Sequence, residues 1–159
     1  MILRTAQSGD VAAVAAIWNR EIRDGVSTFT TAEKSDGALK AEIAARGDAF
    51  LVAEEADEVL GFATFFQFRG GPGYAQTMEY TIHLDPSARG RGAGRQLLAA
   101  LEDRARRAGV HVLVAGISGE NTAGLGFHEK MGFSQVARMP EVGRKFGRWM
   151  DLVLMQKML

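Results

Sequence analysis

The stretch Asp85–Gly109, DPSARGRGAGRQLLAALEDRARRAG, sets three arginines and three glycines between Arg89 and Arg95 and then runs directly into a helical pattern. Leu97, Leu98 and Leu101 share one face, which predicts a helix from about Gly94 to Ala108. The first turn of a helix carries backbone N–H groups without intrahelical partners, and its dipole favours negative charge there. Glycines ahead of such a start let a phosphate reach the main chain, because they lack the Cβ atoms that would block it. The stretch therefore reads as a polyphosphate site, with Gly90, Gly92 and Gly94 clearing the approach and Arg89, Arg91 and Arg95 adding charge. Two better-defined phosphate loops are excluded. Gly94 is followed by Arg95 and Gln96 rather than by Lys and Ser or Thr, and Arg95 stands where a dinucleotide fingerprint needs glycine. A tight turn opening a solvated basic helix has the same composition, so the surroundings must decide.

Upstream, residues 2 to 6 predict a short strand. Val11, Val14, Ile17, Trp18 and Ile22 then fall at helical spacing, with Ser8 or Asp10 able to cap. A second helix, DGALKAEIAARG (36–47), is stopped by Gly47, and the polar loop GVSTFTTAEKS (25–35) between the two is a candidate substrate wall. AFLVAEE (49–55), VLGFATFFQF (59–68) and TMEYTIHL (77–84) read as strands, the first two joined by a short turn around Ala56 and Asp57. In the third, alternation places Thr77, Glu79, Thr81 and His83 on one face and Met78, Tyr80, Ile82 and Leu84 on the other. Downstream lie a strand, VHVLVAGI (110–117), a short helix from Thr122 to Met131, and strands near 133–138 and 149–157. Strands with intervening helices imply an α/β fold with a mixed sheet. No repeat, low-complexity segment or linker interrupts the pattern, so residues 1–159 read as one domain.

Nineteen basic residues balance nineteen acidic ones, which leaves no global field to gather the chain onto nucleic acid or an anionic membrane. The absence of cysteine removes disulfides, thiolate metal sites and a cysteine nucleophile, and three scattered histidines argue against a metal centre. The first residues lack the apolar run of a signal peptide and no stretch reaches membrane-spanning length, so a cytoplasmic protein is expected. Arg104, Arg106 and Arg107 share their helix with Glu102 and Asp103 and read as a solvated face rather than a nucleic-acid surface. Phe146 and Trp149, aromatic among basic residues, are expected to close a cleft or a subunit interface.

Arg89-Gly90-Arg91-Gly92-Ala93-Gly94, after a strand and before a helix, resembles the pyrophosphate loop of the GNAT superfamily of acyl-CoA-dependent N-acyltransferases. ENTAGLGFHEKMGF (120–133) is similar to that superfamily's later motif, with Asn121, His128, Gly132 and Phe133 in its places. HVLVAGISGEN (111–121), FHEKMGF (127–133) and EVGRKFGRWMDLVLMQ (141–156) look like the phosphinothricin acetyltransferase-like branch, which includes methionine sulfoximine and methionine sulfone acetyltransferases.

The resemblance implies a GNAT-type fold, a mostly antiparallel sheet splayed at its centre and flanked by helices. It also implies direct acetyl transfer from acetyl-CoA, without metal, to the primary amine of a small amino acid or analogue. An alkyl amine with a pKa near ~10 is mostly protonated at neutral pH, so a carboxylate that takes its proton helps expose the lone pair. Glu79 matches the branch's Glu-x-Ser/Thr-Val/Ile pattern and is the expected base, directly or through water. By the same likeness, Ile82, His83 and Leu84 offer main-chain groups to the pantetheine arm, Ala93 joins the phosphate loop, and Asn121 contacts pantetheine or caps its helix. His128 stands where many members carry a tyrosine that protonates the leaving thiolate; it serves as that acid or packs beside Phe127. Phe29, Arg69, Tyr74 and Thr77 are the expected acceptor pocket, Arg69 being either the substrate's cation or a hairpin-end surface charge. A homodimer paired through C-terminal strands is also implied.

Two departures bear on the acceptor and cofactor. Ala75 follows Tyr74 where many members of the branch carry an arginine suited to a substrate carboxylate, which sets phosphinothricin itself apart. Gly124 replaces a small hydroxyl or alanine residue, loosening the short helix by about 1 kcal/mol relative to alanine. Two other readings keep the acyl-CoA site: a protein or peptide N-acetyltransferase, and a non-catalytic acyl-CoA sensor.

Overall fold

Phe50 to Glu55 and Glu58 to Gln67 carry apolar side chains on both faces of one hairpin, so both faces must be covered. The computed structural model, which describes residues 1–159, shows how. Strand β1 (Ile2–Thr5) leads through a short turn into helices α1 (Val11–Asp24) and α2 (Asp36–Arg46). The hairpin β2 (Phe50–Glu55) and β3 (Glu58–Gln67) is followed by β4 (Thr77–Leu84), α3 (Ala93–Arg107), β5 (Val112–Ser118) and α4 (Thr122–Lys130). A second hairpin, β6 (Ser134–Lys145) and β7 (Arg148–Met158), completes the order. All seven strands form one sheet, β1-β2-β3-β4-β5-β7-β6, antiparallel at every join except β4–β5. The mixed, mostly antiparallel sheet is the expected one.

On one face Phe50, Val52 and Phe62 meet Trp18, Ile22, Leu39 and Ile43 of α1 and α2. On the other, Leu51, Ala53, Ala63 and Tyr80 meet Leu97, Leu98 and Leu101 of α3. The three leucines are fully buried, each contributing about 2 kcal/mol, and they fix α3 against the sheet. The β4 alternation holds: Tyr80 is in the α3-side core with Met78, Ile82 and Leu84 packed against it. Ala56 (φ 52) and Asp57 (φ 62) take the left-handed conformation that matches a two-residue hairpin to the strand twist.

Two expectations are corrected. Asp10 does not cap α1: its carboxylate accepts from the Gln7 N–H (2.7 Å) and from Arg4 (2.8 Å), closing the preceding turn and tying it to β1. The strand expected to end near residue 138 continues to Lys145. Pro140 is tolerated because β6 is an edge strand whose register shifts between Met139 and Gly143.

Candidate active site

β4 pairs with β5 only from Thr77↔Val112 to Tyr80↔Ala115, yet stays paired with β3 through Leu84↔Gly61. Past Tyr80 the two central strands part, and the β5-facing edge of Thr81–Leu84 has no partner strand. Backbone groups there are obligatory hydrogen-bonding groups, so the edge is a slot for an extended ligand. Two cavities meet at this gap, one of about 810 Å³ beside the glycine loop and one of about 290 Å³ under the 25–35 loop. Ser27, Ile82, His83, Asn121 and His128 line both. A separate groove of about 450 Å³, walled by Arg4, Asp10, Glu54, Asp57 and Glu58, includes no residue of β4.

The larger cavity presents a main-chain surface along one side. α3 starts at Ala93 with no side-chain cap, whereas Ser35 caps α2 and Asn121 caps α4, accepting from the Gly124 N–H at 2.9 Å. Its first N–H groups are left for an anion. The glycines divide their work. Gly90 (φ 73) and Gly92 (φ 79) supply left-handed backbone, while a Cβ on Gly94 would lie 3.3 Å from Leu84 and 3.6 Å from Phe127. Of the residues expected to bind the cofactor, Ile82, His83, Leu84, Arg89, Gly90, Gly94 and Asn121 line this cavity. Arg91, Gly92, Ala93 and Arg95 do not. Arg91 pairs with Glu55, and the Ala93 side chain is buried against Leu60 and Ala88. Arg89 is exposed and 4.0 Å from Glu21.

The smaller cavity is built from side chains. Glu79 lines it on the face opposite Tyr80, half-buried, and burial raises its carboxyl above the ordinary glutamate value. Ser27, Thr28, Thr30 and Lys34 form a wall, so the polar loop lies where the sequence placed it. Two devices hold that wall. Glu21 accepts from both the Ser27 hydroxyl and its N–H (3.2 Å); burial acts to raise Glu21, but these bonds outweigh it and hold the carboxyl below its ordinary value. Lys145, only 3% exposed, sends its ammonium from β6 to the carbonyls of Gly25 (2.6 Å), Thr28 (2.9 Å) and Glu21 (3.4 Å). Three N–H donors meet three acceptors at the carbonyl end of α1, where a helix favours a cation.

His128 is buried, its Nδ1 donating to the Gly124 carbonyl at 2.7 Å and its Nε2 accepting from the Tyr80 hydroxyl. A carbonyl can only accept, which fixes the tautomer. Burial lowers the His128 pKa, and Phe127 and Phe133 pack edge-on against the ring at 5.2 and 5.3 Å. The expected acid thus has no free N–H for a thiolate. Its geometry is that of a brace fastening α4 to β4 at the wall of the gap.

The expected acceptor residues scatter. Arg69 stacks over Tyr74 at 5.5 Å on the exposed β3–β4 connection, and neither lines either cavity. Thr77 starts β4 opposite Val112, outside the lining. Phe29 lies in the wall loop but turns to β6, where a Cβ on Gly143 would fall 2.4 Å from its ring. Trp18, Glu21 and Lys34 line the site unanticipated. Trp18 read as an ordinary core position, and only the polar character of residues 25–35 pointed towards Lys34.

Comparison with known proteins agrees with this geometry. The sequence pattern of the acetyltransferase (GNAT) family matches residues 14–133. The L-methionine sulfoximine/L-methionine sulfone acetyltransferase of Salmonella typhimurium is 39% identical over 162 residues, spanning 100% of this chain and 95% of that protein. The L-amino acid N-acyltransferase MnaT of Escherichia coli is 40% identical over 167 residues, spanning 100% and 94%. A solved acetyltransferase from Salmonella typhimurium with its cofactor acetyl-CoA superimposes with a TM-score of 0.95 at 38% identity, covering 100% of this chain and 94% of that one.

Proposed function

The chain belongs to the GNAT acetyltransferase family, and from that premise we propose that it moves the acetyl group of acetyl-CoA to the primary amine of a small amino acid or amino-acid analogue. The observation that carries this reading is the parting of β4 from β5 just after Tyr80. It sets a half-buried carboxylate and an unpaired strand edge on one gap, with the glycine loop at its far side.

Acetyl-CoA supplies the acyl group as a thioester. The residues present fit it: the uncapped start of α3 and Arg89 would hold the pyrophosphate, and the free edge of Thr81–Leu84 would pair with the pantetheine amides. Glu79 takes the proton of the acceptor ammonium, directly or through water. Its raised pKa brings it nearer the working pH, which suits a base that must also release the proton. The amine nitrogen then bonds to the acyl carbon as the carbon–sulfur bond breaks. A thiolate is a good leaving group that needs only modest help from an acid, consistent with the engaged nitrogens of His128.

The small volume of about 290 Å³ favours a small amine over a protein or peptide acceptor, and the half-buried Glu79 favours catalysis over sensing. The reading includes a cytoplasmic homodimer joined through the last hairpin, where Val136, Met139, Val142, Phe146 and Trp149 are exposed apolar groups. No helix is long and apolar enough to cross a membrane. Arg91, Arg104 and Arg106 are held in ion pairs with acidic neighbours, which supports a chain that does not bind nucleic acid. The test is release of free thiol from acetyl-CoA with L-amino acids, methionine sulfone, methionine sulfoximine, phosphinothricin, polyamines and peptides. Turnover with amino acids is expected. Turnover confined to peptides, or acetyl-CoA binding without turnover, overturns the reading.

A further inference from the structure

An amino-acid acceptor brings a carboxylate as well as an amine, and one side chain in the smaller cavity is placed to meet it. Lys34 is the single lysine or arginine in that lining. Burial disfavours the charged form of the two histidines in the same lining, pushing His83 down to about 4 and lowering His128 as well.

The lysine is held in a built setting. Asn19 clamps its backbone on both sides, accepting from the Lys34 N–H at 2.7 Å and donating to its carbonyl at 3.0 Å. The ammonium sits 3.9 Å from the Trp18 ring centroid and 2.9 Å from Glu42. Trp18 packs on Phe62 at 4.8 Å and faces His83 at 6.3 Å, and Phe62 and His83 are partners across β3 and β4. Glu42 also holds Arg46 at 2.6 Å, and Arg46 in turn donates to Thr64 at 3.0 Å and stacks over Phe66 at 4.9 Å. Thr64 and Phe66 are the cross-strand partners of Thr81 and Glu79. Lys34 is therefore suspended over the sheet face that carries Glu79, between the rung of His83 and those of Thr81 and Glu79. Glu42 does not depend on it, because Arg46 remains its partner if the ammonium turns to a ligand.

We propose that Lys34 binds the carboxylate of the acceptor, so that the substrate is an amino acid or analogue gripped at two points, its amine at Glu79 and its acid at Lys34. The assignment rests on the N-acetyltransferase reading above and replaces Arg69, which lies outside the cavity. An ammonium on a flexible stem acts as a point charge and asks for no planar, bidentate partner, so it tolerates acceptors with different side chains.

The test compares L-methionine sulfone with its carboxamide as acceptors. The wild type is expected to prefer the acid. Lys34→Met should raise the KM for the acid about tenfold, the worth of one charge-assisted contact, while leaving kcat and the KM for the carboxamide near wild type. Glu42→Gln should keep the preference for the acid. Equal weakening of both acceptors in Lys34→Met, or a wild type indifferent to the carboxylate, sinks the Lys34 assignment and leaves the acetyltransferase reading standing. A wild type that acetylates neither compound nor any other amino acid removes both. A readout independent of variant folding and of turnover is the Lys34 Nζ resonance of the wild type. It must move on adding N-acetyl-L-methionine sulfone and stay still with the N-acetyl carboxamide; no movement with either overturns the assignment.

Discussion

The two cavities share a wall but are made of different materials. The larger combines a strand edge, an uncapped helix start and glycines, all between Ile82 and Gly94, with walls from α1, residues 25–27 and α4, and its distinctive surface is main chain. The smaller takes Trp18 from α1, Lys34 from a loop, Glu79 from β4 and its support from Lys145 on β6, so its recognition is by side chains drawn from across the fold. A co-substrate that never changes is well served by backbone, which offers one geometry whatever side chains surround it. An acceptor must be chosen, and choice needs side chains that can differ.

That division can be broken, most sharply at Glu79. Glu79→Gln is expected to lower kcat/KM for the acceptor about 100-fold or more while leaving acetyl-CoA affinity unchanged. Because the base acts only when deprotonated, the wild-type rate should climb with pH through a pKa above the ordinary glutamate range, and that limb should vanish in the variant. A profile shared by both proteins removes Glu79 as the base. Lys145→Met leaves the carbonyls of Gly25 and Thr28 without their donor and should cost about 2 kcal/mol of stability, read by denaturant unfolding, with hydrogen exchange accelerating in residues 25–30. Exchange that rises equally in α3 would show general loosening instead of a lost clasp. Arg89→Ala should weaken acetyl-CoA binding about tenfold, more at low salt than at high, with acceptor KM unaffected. The smallest effect sharpens the comparison at a residue common to both cavities: Asn121→Ala should cost about 1 kcal/mol through the lost cap. Asn121→Ser restores the cap without the amide, so an acetyl-CoA affinity that falls in both variants assigns Asn121 to the ligand, and one unchanged in both assigns it to the helix.

The same contrast explains what could be read from the chain. The glycine loop, α3 and the face of Glu79 are encoded by residues close together, where helical spacing, strand alternation and missing Cβ atoms leave a local signature. Lys145 touches Thr28 across a separation of 117 residues, and nothing in either neighbourhood announces the other. Arg69 had the right charge near the right strand, but its guanidinium is stacked on Tyr74, an orientation no pattern encodes. His128 was legible as a position and not as a role, because its role depends on where two nitrogens point. The extent of β6 past residue 138 was not legible, since an edge strand forgives the missing donor of Pro140 that a central strand would not.

The last hairpin has a consequence for how the molecule is made. β7 follows β6 in the chain but sits inside it in the sheet, between β5 and β6. On a ribosome, β5 must therefore wait with a bare edge until residues 148–158 have emerged, although the residues of α3 and its glycine loop have already been made. The acceptor wall near residue 25 stays unfastened until Lys145 arrives. A nascent chain stalled after α4 would thus carry the glycine loop without Phe133, Val153 and Met155 of the core beneath α3, and without the Lys145 clasp on residues 25–28, so both cavities are finished by the same last hairpin.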